Sequence, residues 1–259
     1  LKEGFPLSLR LLRDIHGVLL SGEHGAVKLP GEFRRSQNWI GGSRPGNALF
    51  VPPPAEKVGS LLADLERFIH DEASDLPALV RVAMVHAQFE TIHPFLDGNG
   101  RIGRLLIAAL LEHWKLLPEP LMYLSGYLKQ HQSEYYQRLS AIRTQGDWEG
   151  WIQFFLEAVQ NAATKSERDV VALASLVGND RLRILEHSKS NAVTYRLFEL
   201  LPKMPRLSVE RVRAVLQITF PTANTAIKLL EELGILVEVT GQKKNRTFSY
   251  AAYIKILSQ

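Results

Sequence analysis

Apolar residues recur at helical spacing along most of this chain. Leu11, Ile15 and Val18/Leu19 mark a first helix over Leu7–Leu20. Pro52-Pro53-Pro54 opens a second, whose Val58, Leu61, Leu62, Leu65, Phe68 and Ile69 share one face. Pro77 opens a third, passing through Val82, Val85 and Phe89 to about Ile92, where Pro94 stops it. Ile102–Trp114 is apolar nearly all round, the mark of a buried central helix. Helices over Ser133–Arg143 and Asp147–Leu176 follow, with Trp148, Trp151, Phe154 and Phe155 as core residues. One early stretch departs from this period. Phe33–Ile40 and Ala48–Val51 read as short strands around the turn-rich Gly41-Gly42-Ser43-Arg44-Pro45-Gly46, which predicts a hairpin over 33–51. A lone hairpin is marginal in water, so it needs something to lie on.

Gly178-Asn179-Asp180 reads as a junction between a domain over 1–178 and a second over 179–259. Beyond it, Ala192–Leu201 is helical and Ser208 caps another helix through Leu216. Phe220-Pro221-Thr222 opens a third, through Ile227, Leu229, Leu230 and Leu233, which Gly234 ends. A β-rich run, Ile235–Thr240, leads into the basic turn Gly241-Gln242-Lys243-Lys244-Asn245-Arg246 and a second run, Thr247–Tyr250. Three helices and a basic-tipped hairpin make the layout of a winged helix-turn-helix. The expected fold class is therefore mainly α, a helical domain with a β-hairpin followed by a winged helix-turn-helix. Charge follows the same division. Residues 179–259 carry 13 Lys+Arg against 7 Asp+Glu, a net +6, while the remainder nets −2. The basic part fits weak DNA binding, with solubility alone as the plainer reading.

Composition removes several classes of function. At 46% hydrophobic and 22% charged, the chain has the material for a core, which excludes whole-chain disorder. It has no Cys, so disulfides, thiolate metal sites, iron–sulfur clusters and a Cys nucleophile are excluded. The longest strictly apolar run near the middle, Leu105–Leu111, is far short of a bilayer span. Lys2, Glu3, Arg10, Arg13 and Asp14 interrupt any secretory segment. A cytoplasmic protein with no membrane partner is the expectation.

The chemistry concentrates in His93-Pro94-Phe95-Leu96-Asp97-Gly98-Asn99-Gly100-Arg101-Ile102-Gly103-Arg104. Gly-rich backbone at a helix N-terminus offers free N–H groups to an anion, and the helix dipole adds to the attraction. Arg101 and Arg104, three apart, share one side of the first turn and can fork onto phosphate oxygens. Asp97 is a hard oxygen ligand suited to Mg²⁺, and His93 takes a proton near neutral pH. Read from the residues alone, this is a nucleotide-phosphate site with a metal and a general base. Gly98-x-Gly100-x-x-Gly103 also matches the dinucleotide fingerprint, but a helix and a Pro-Phe loop precede it instead of a strand. Arg104-Leu105 replaces the Lys-Ser/Thr of a Walker A loop, and Arg101 and Ile102 break a calcium loop. His86, Glu90 and His93 invite a zinc reading, which Pro94 disfavours by ending the helix there.

This stretch resembles the signature of Fic-domain proteins, His-Pro-Phe-x-Asp-Gly-Asn-Gly-Arg-x-x-Arg, at all nine specified positions. The resemblance runs from about Leu7 to Val177 in helix order, and the remainder resembles the winged-helix tail of many bacterial members. It implies a protein adenylyltransferase that moves AMP from ATP to a Ser, Thr or Tyr hydroxyl of a target protein, self-modification included, and releases pyrophosphate. In that reading His93 deprotonates the hydroxyl and Asp97 holds Mg²⁺. Gly98, Asn99 and Gly100 form the anion hole, Arg101 and Arg104 hold the outer phosphates, and Ile102 and Gly103 complete the phosphate-binding run. The hairpin becomes a flap that positions the target by strand addition through Asn38, Trp39, Ile40 and Gly41. Tyr135-Tyr136 resemble the aromatic pair that lines the nucleoside pocket, with ordinary helix packing as the alternative.

Gly100 stands where a phosphate-transferring branch of the family has Lys, which favours AMP transfer. Transfer of another nucleotide such as UMP, or a DNA-binding regulator with a nucleotide-sensing domain, are the competing readings, and a homodimer is expected. Many members carry a self-inhibitory helix with Ser/Thr-x-x-x-Glu-Gly/Asn, and no Ser or Thr here has Glu four residues on. The resemblance places that helix ahead of Leu1. The expectation is a truncated chain, a helix supplied by another chain, or an unrestrained enzyme.

Overall fold

The protein is described by a computed structural model over residues 7–22, 28–117, 122–242 and 244–258. Among the described residues, seven α-helices in chain order build its first part. α1 (Leu9–Leu19) starts at Ser8, whose hydroxyl accepts the Leu11 N–H at 3.3 Å. α2 (Val58–Ile69) and α3 (Ala78–Ile92) follow their prolines as the sequence predicts. α4 (Asn99–His113), α5 (Leu124–Gln130), α6 (Gln132–Gln145) and α7 (Trp148–Glu186) complete the set. α3 packs between α2 and α4. Leu62, Val82, Phe89, Ile102, Leu106, Trp151 and Phe155 fill the core, and the Trp151 indole N–H donates to Ala83 O at 2.9 Å.

Three expectations change. α4 begins at Asn99 and not at Ile102, so Asn99, Gly100 and Arg101 belong to its first turn. The hairpin over 33–51 does not form two strands. One antiparallel bridge joins Ile40 to Phe50, and Pro45–Asn47 is a 3-10 turn. Pro45 and the Pro52–Pro54 run remove N–H donors, and Arg34, Gln37 and Asn38 bond elsewhere instead of laddering. The predicted junction at 178–180 lies inside α7, which runs unbroken for 39 residues. One helix-interior Gly costs only about 1 kcal/mol. Here Leu176, Val177 and Ile184 pack on the second core, and Asp180 is buried with two partners.

The chain divides into two compact units, Leu1–Ser166 and Glu167–Gln259. The second contains the end of α7, α8 (Ala192–Leu200), β1 (Arg206–Ser208), α9 (Val209–Leu216), α10 (Phe220–Glu232), β2 (Val237–Glu238), β3 (Thr247–Ser249) and α11 (Ala251–Ser258). Its three strands form an antiparallel sheet of order β1-β3-β2, with Leu207 opposite Phe248 and Val237 opposite Ser249. Tyr250 donates to Asp180 Oδ2 at 2.6 Å, and Arg183 Nη1 donates to Oδ1 at 2.8 Å. Burial, then the Asp180 bond, push the Tyr250 phenol pKa upward. Among the described residues no helix is long and apolar enough to cross a membrane.

Candidate active site

His93 ends α3 in the left-handed conformation (φ 49°, ψ 60°), its N–H donating to Phe89 O at 2.9 Å. That backbone turn takes the chain off the helix and directly into Pro94. The imidazole is 19% exposed, with Nδ1 3.9 Å from Glu90 Oε2. Burial lowers its pKa to about 4; the Glu90 carbonyl opposes this, and the Arg143 and Arg34 charges add to it. Nδ1 still makes no well-formed hydrogen bond among the described residues.

The loop after His93 is held from three directions. Asn99 is 2% exposed, and its side chain closes a reciprocal pair with Phe95: Phe95 N–H donates to Oδ1 and Nδ2 donates to Phe95 O, both at 2.8 Å. From α1 comes His16, fully buried and stacked on the Phe95 ring at 3.8 Å. Gly31 N–H donates to His16 Nδ1 at 2.9 Å, so the proton sits on Nε2, which donates to Asp97 O at 3.1 Å. Burial lowers the His16 pKa and keeps that neutral form. From the 33–51 segment comes Arg34, 2% exposed. Its N–H donates to Pro94 O at 2.8 Å, Nε to His93 O at 2.9 Å and Nη2 to Ile92 O at 3.3 Å. The last carbonyls of α3 thus end on a buried cation.

Gly98 then turns the chain into α4 at φ 80°, a conformation that strains any side-chain-bearing residue. The first intrahelical bond runs from Ile102 N to Gly98 O, so the N–H groups of Asn99, Gly100 and Arg101 precede the helical ladder. They form the anion-attracting end of α4. Asn99 therefore serves this end through its backbone, since its side chain is committed to Phe95. Asp97 Oδ1 accepts the Gly98 N–H at 2.7 Å, and Oδ2 lies 3.4 Å from Arg101 Nη2. Both side chains are about half exposed (52% and 46%). Arg104 Nη1 lies 3.2 Å from where a β-carbon on Gly100 would stand, so that guanidinium covers the same first turn. Among the described residues no group of three or more metal-ligating side chains exists. One exposed carboxylate oxygen beside an anion-attracting helix end is nonetheless a donor set that would suit Mg²⁺, which binds through one or two carboxylates plus phosphates.

Two residues of the motif face away from any ligand. Ile102 is buried in the core and its N–H is already bonded, so it does not line the phosphate site. Gly103 is a packing glycine between α4 and α3: a β-carbon there would come within 2.3 Å of Glu90 Oε1 and 3.2 Å of His86 Cε1. His86 is fully buried and donates from Nδ1 to Gly103 O at 3.1 Å, which leaves Nε2 to accept the Tyr135 hydroxyl at 2.9 Å. Both ring nitrogens are occupied, and burial holds the His86 pKa at about 4. Tyr135 is buried, with desolvation raising its phenol pKa, while Tyr136 is 54% exposed. The two rings border a cavity of about 320 Å³ with Arg104, Tyr123, Lys129 and Gln132. Tyr135 is thus both a packing residue and a wall of that cavity.

The 33–51 segment lies against the loop after His93. Asn38 Nδ2 donates to Phe95 O at 3.0 Å and His93 O at 3.3 Å, so its side chain anchors the segment to the motif. Ile40 spends its N–H and carbonyl on the bridge with Leu49 and Phe50. Trp39 and Gly41 flank that bridge, and the chain leaves the extended conformation at Gly41, φ 69°. Arg143 of α6 stacks over the Phe50 ring at 3.8 Å and donates to Glu90 O and Thr91 Oγ1, both at 3.2 Å. His16, Arg34, Glu90 and Arg143 were not singled out as site residues by the sequence, apart from Glu90 in the rejected zinc reading. His16 carried one signal, its four-residue spacing from Leu12 on the inner face of α1.

Residues 6–111 match the family model described as Fic/DOC family. The protein adenylyltransferase Fic of Culex quinquefasciatus is 32% identical over 155 residues, 60% of this chain and 28% of that protein. Its counterpart in Aedes aegypti is 33% identical over 155 residues, with the same coverage of 60% and 28%. That of Drosophila melanogaster is 32% identical over 131 residues, 50% of this chain and 24% of that protein. The chain thus spans about a quarter of the length of these curated relatives. A crystal structure of a Fic family protein from Desulfovibrio desulfuricans G20 superposes with a TM-score of 0.53 at 23% identity, over 93% of this chain and 68% of that one. It shares the fold.

Proposed function

We propose that this protein is an adenylyltransferase that moves AMP from ATP to a Ser, Thr or Tyr hydroxyl of a protein, this chain included. One observation carries the reading: a buried, neutral imidazole stands at the end of α3, one short loop from the open N-terminus of α4 with its two arginines. The polyphosphate binds where the Asn99, Gly100 and Arg101 N–H groups converge, with Arg101 and Arg104 on the outer phosphates. The target lies along the outward edge of Trp39 and Gly41 as an added strand. Its hydroxyl gives a proton to His93 Nε2 while the oxygen bonds to the α-phosphorus and the bond to pyrophosphate breaks. Asp97 would hold Mg²⁺, which neutralises phosphate charge when bound. Positioning and charge stabilisation supply most of the acceleration.

Incubation of the full chain with each α-labelled nucleoside triphosphate and a lysate, followed by mass spectrometry, tests the reading. Labelling from ATP that vanishes in His93→Ala is the expected result. Labelling unchanged in that variant, or none from ATP, overturns it. Asp97→Ala should lose Mg²⁺ dependence along with activity.

A second reading concerns residues 192–259, where α8, α9 and α10 precede the antiparallel β2–β3 pair. We read this as a winged helix that touches DNA phosphates weakly. Arg246 is engaged with Asn224 of α10 (3.4 Å) and with the Phe248 ring, which leaves Lys244 as the described basic group of the turn free to reach outward; Lys243 of that turn lies outside the described residues. Duplex binding by the full chain should be salt-sensitive and nearly sequence-independent. No binding at low salt would assign the unit to protein contacts.

A further inference from the structure

Glu90 is a carboxylate that the phosphate-facing loop does not use. It sits on α3 three residues before His93, its side chain 7% exposed and its Oε2 3.9 Å from His93 Nδ1. Oε1 has no hydrogen-bond partner among the described residues. The carboxylate fills the notch that Gly103 leaves in α4, since a β-carbon there would collide with Oε1 at 2.3 Å. A buried carboxylate with an orphaned oxygen is costly, and Met or Leu would fill the same notch without that cost. Packing alone therefore does not account for it. Arg104 from α4 and Arg143 from α6 face it with positive charge, and Tyr135 faces it from α6. His86 shares its helix and the Gly103 notch. Arg34, Arg143 and Asp97 act on the imidazole.

We propose that Glu90 is a positioning residue for His93: its carboxylate faces Nδ1 and holds the neutral ring, with its one proton on Nδ1, so that the bare Nε2 points toward the target hydroxyl. The proposal rests on the AMP-transfer reading above. When the hydroxyl O–H bond breaks, its proton goes to Nε2, the oxygen bonds to the α-phosphorus, and pyrophosphate leaves with the electron pair of the broken P–O bond. His93 then carries a positive charge where burial and two arginines disfavour one. The carboxylate at Nδ1 opposes that charge, as a buried carboxylate does for the histidine of a hydrolase triad. Catalytic contacts are commonly long before substrate binds, so a modest rotation closes the 3.9 Å gap. The proton later leaves to water and the pair returns to its starting state.

Two substitutions separate charge from shape. Glu90→Gln keeps the shape and removes the charge; Glu90→Asp keeps the charge and shortens the reach. Glu90→Gln should lower kcat by ~10-fold or more with KM for ATP nearly unchanged, and Glu90→Asp should retain more activity than Glu90→Gln. A packing role gives the reverse order and overturns the proposal. The decisive measurement needs no turnover, so it stands even if the chain transfers a group other than AMP. In the full chain with ¹⁵N-labelled histidine, His93 signals are identified by their loss in His93→Gln. At pH 8, above the raised Glu90 pKa, the parent should hold His93 as the Nδ1–H tautomer, and the Nε2–H share should rise in Glu90→Gln. An Nε2–H tautomer in the parent overturns the proposal, and so does an unchanged tautomer ratio in the variant.

Discussion

The segments 93–98 and 36–50 meet at His93, neither contains an α-helix or a β-strand, and both turn on glycines at positive φ. They differ in where their polar groups go. In 93–98 the polar backbone groups of His93, Phe95, Asp97 and Gly98 are met by Asn99, His16, Arg34 or Asp97, and Phe95 is fully buried. In 36–50 the chain is held by one bridge, by Asn38 and Gln37, by Asn47 within its own turn and by Arg143 over Phe50, while Leu49 is 87% exposed and Trp39 40%. The first loop is fixed before any ligand arrives, which suits a charge-stabilising site. The second keeps a solvated edge that a variable peptide strand can occupy. One site thus combines fixed chemistry with adaptable recognition, and each property is traceable to where the hydrogen bonds end.

Substitutions in the two loops should separate these properties. The largest effect belongs to His93→Ala, which should cut AMP transfer by ~10²–10⁴-fold and leave ATP affinity nearly intact in a titration. Next is Asn99→Ala, which strands the Phe95 N–H and carbonyl in the interior. It should lower stability by about 2–3 kcal/mol in urea unfolding and weaken nucleotide binding, although its side chain touches no phosphate. Glu90→Gln should act through pH. The Glu90 pKa is raised by burial from 4.5 to about 7, so the folding advantage present below pH 4.5 is lost as pH rises through 7. His93 and His86, lowered from 6.5 to about 4, run the other way: their contribution is complete above pH 6.5 and is lost as pH falls through 4. Thermal melts should show the Glu90→Gln variant gaining on the parent from pH 5 to pH 8, by up to about 3 kcal/mol. The smallest effect on folding is Leu49→Ala, within about 0.5 kcal/mol, since the side chain is already in water. That variant should change the yield of modified target and leave ATP affinity alone. A large stability loss there would show that the outer loop is as fixed as the inner one.

Much of this was legible because it is local. Pro52–Pro54 and Pro77 announce α2 and α3, and the apolar run after Ile102 announces a buried helix. The motif is contiguous, so His93, Asp97 and the arginines stand out as one constellation. What escaped depends on contacts between distant segments. His16 meets Asp97 across 81 residues and Arg34 meets His93 across 59, and neither spacing leaves a trace in a periodic pattern. The role of Gly103 was misread for the same reason, since a glycine spared for a neighbouring helix looks like one spared for a phosphate. The missing strands at 33–51 follow from side chains that pair with the motif instead of with each other. The junction at 178–180 failed because one Gly is too weak a breaker against flanking residues that pack.

His93 sits in the left-handed region, where an L-residue is about 1–2 kcal/mol worse off than glycine. Under selection for a durable fold alone, mutation at this codon would drift toward Gly or Asn, the usual residues at such a helix end. A histidine here therefore costs the fold stability that a glycine would not. In a lineage where the imidazole loses its purpose, this position should be among the first to decay, and a descendant with Gly at 93 would be a sturdier protein with a silent active site.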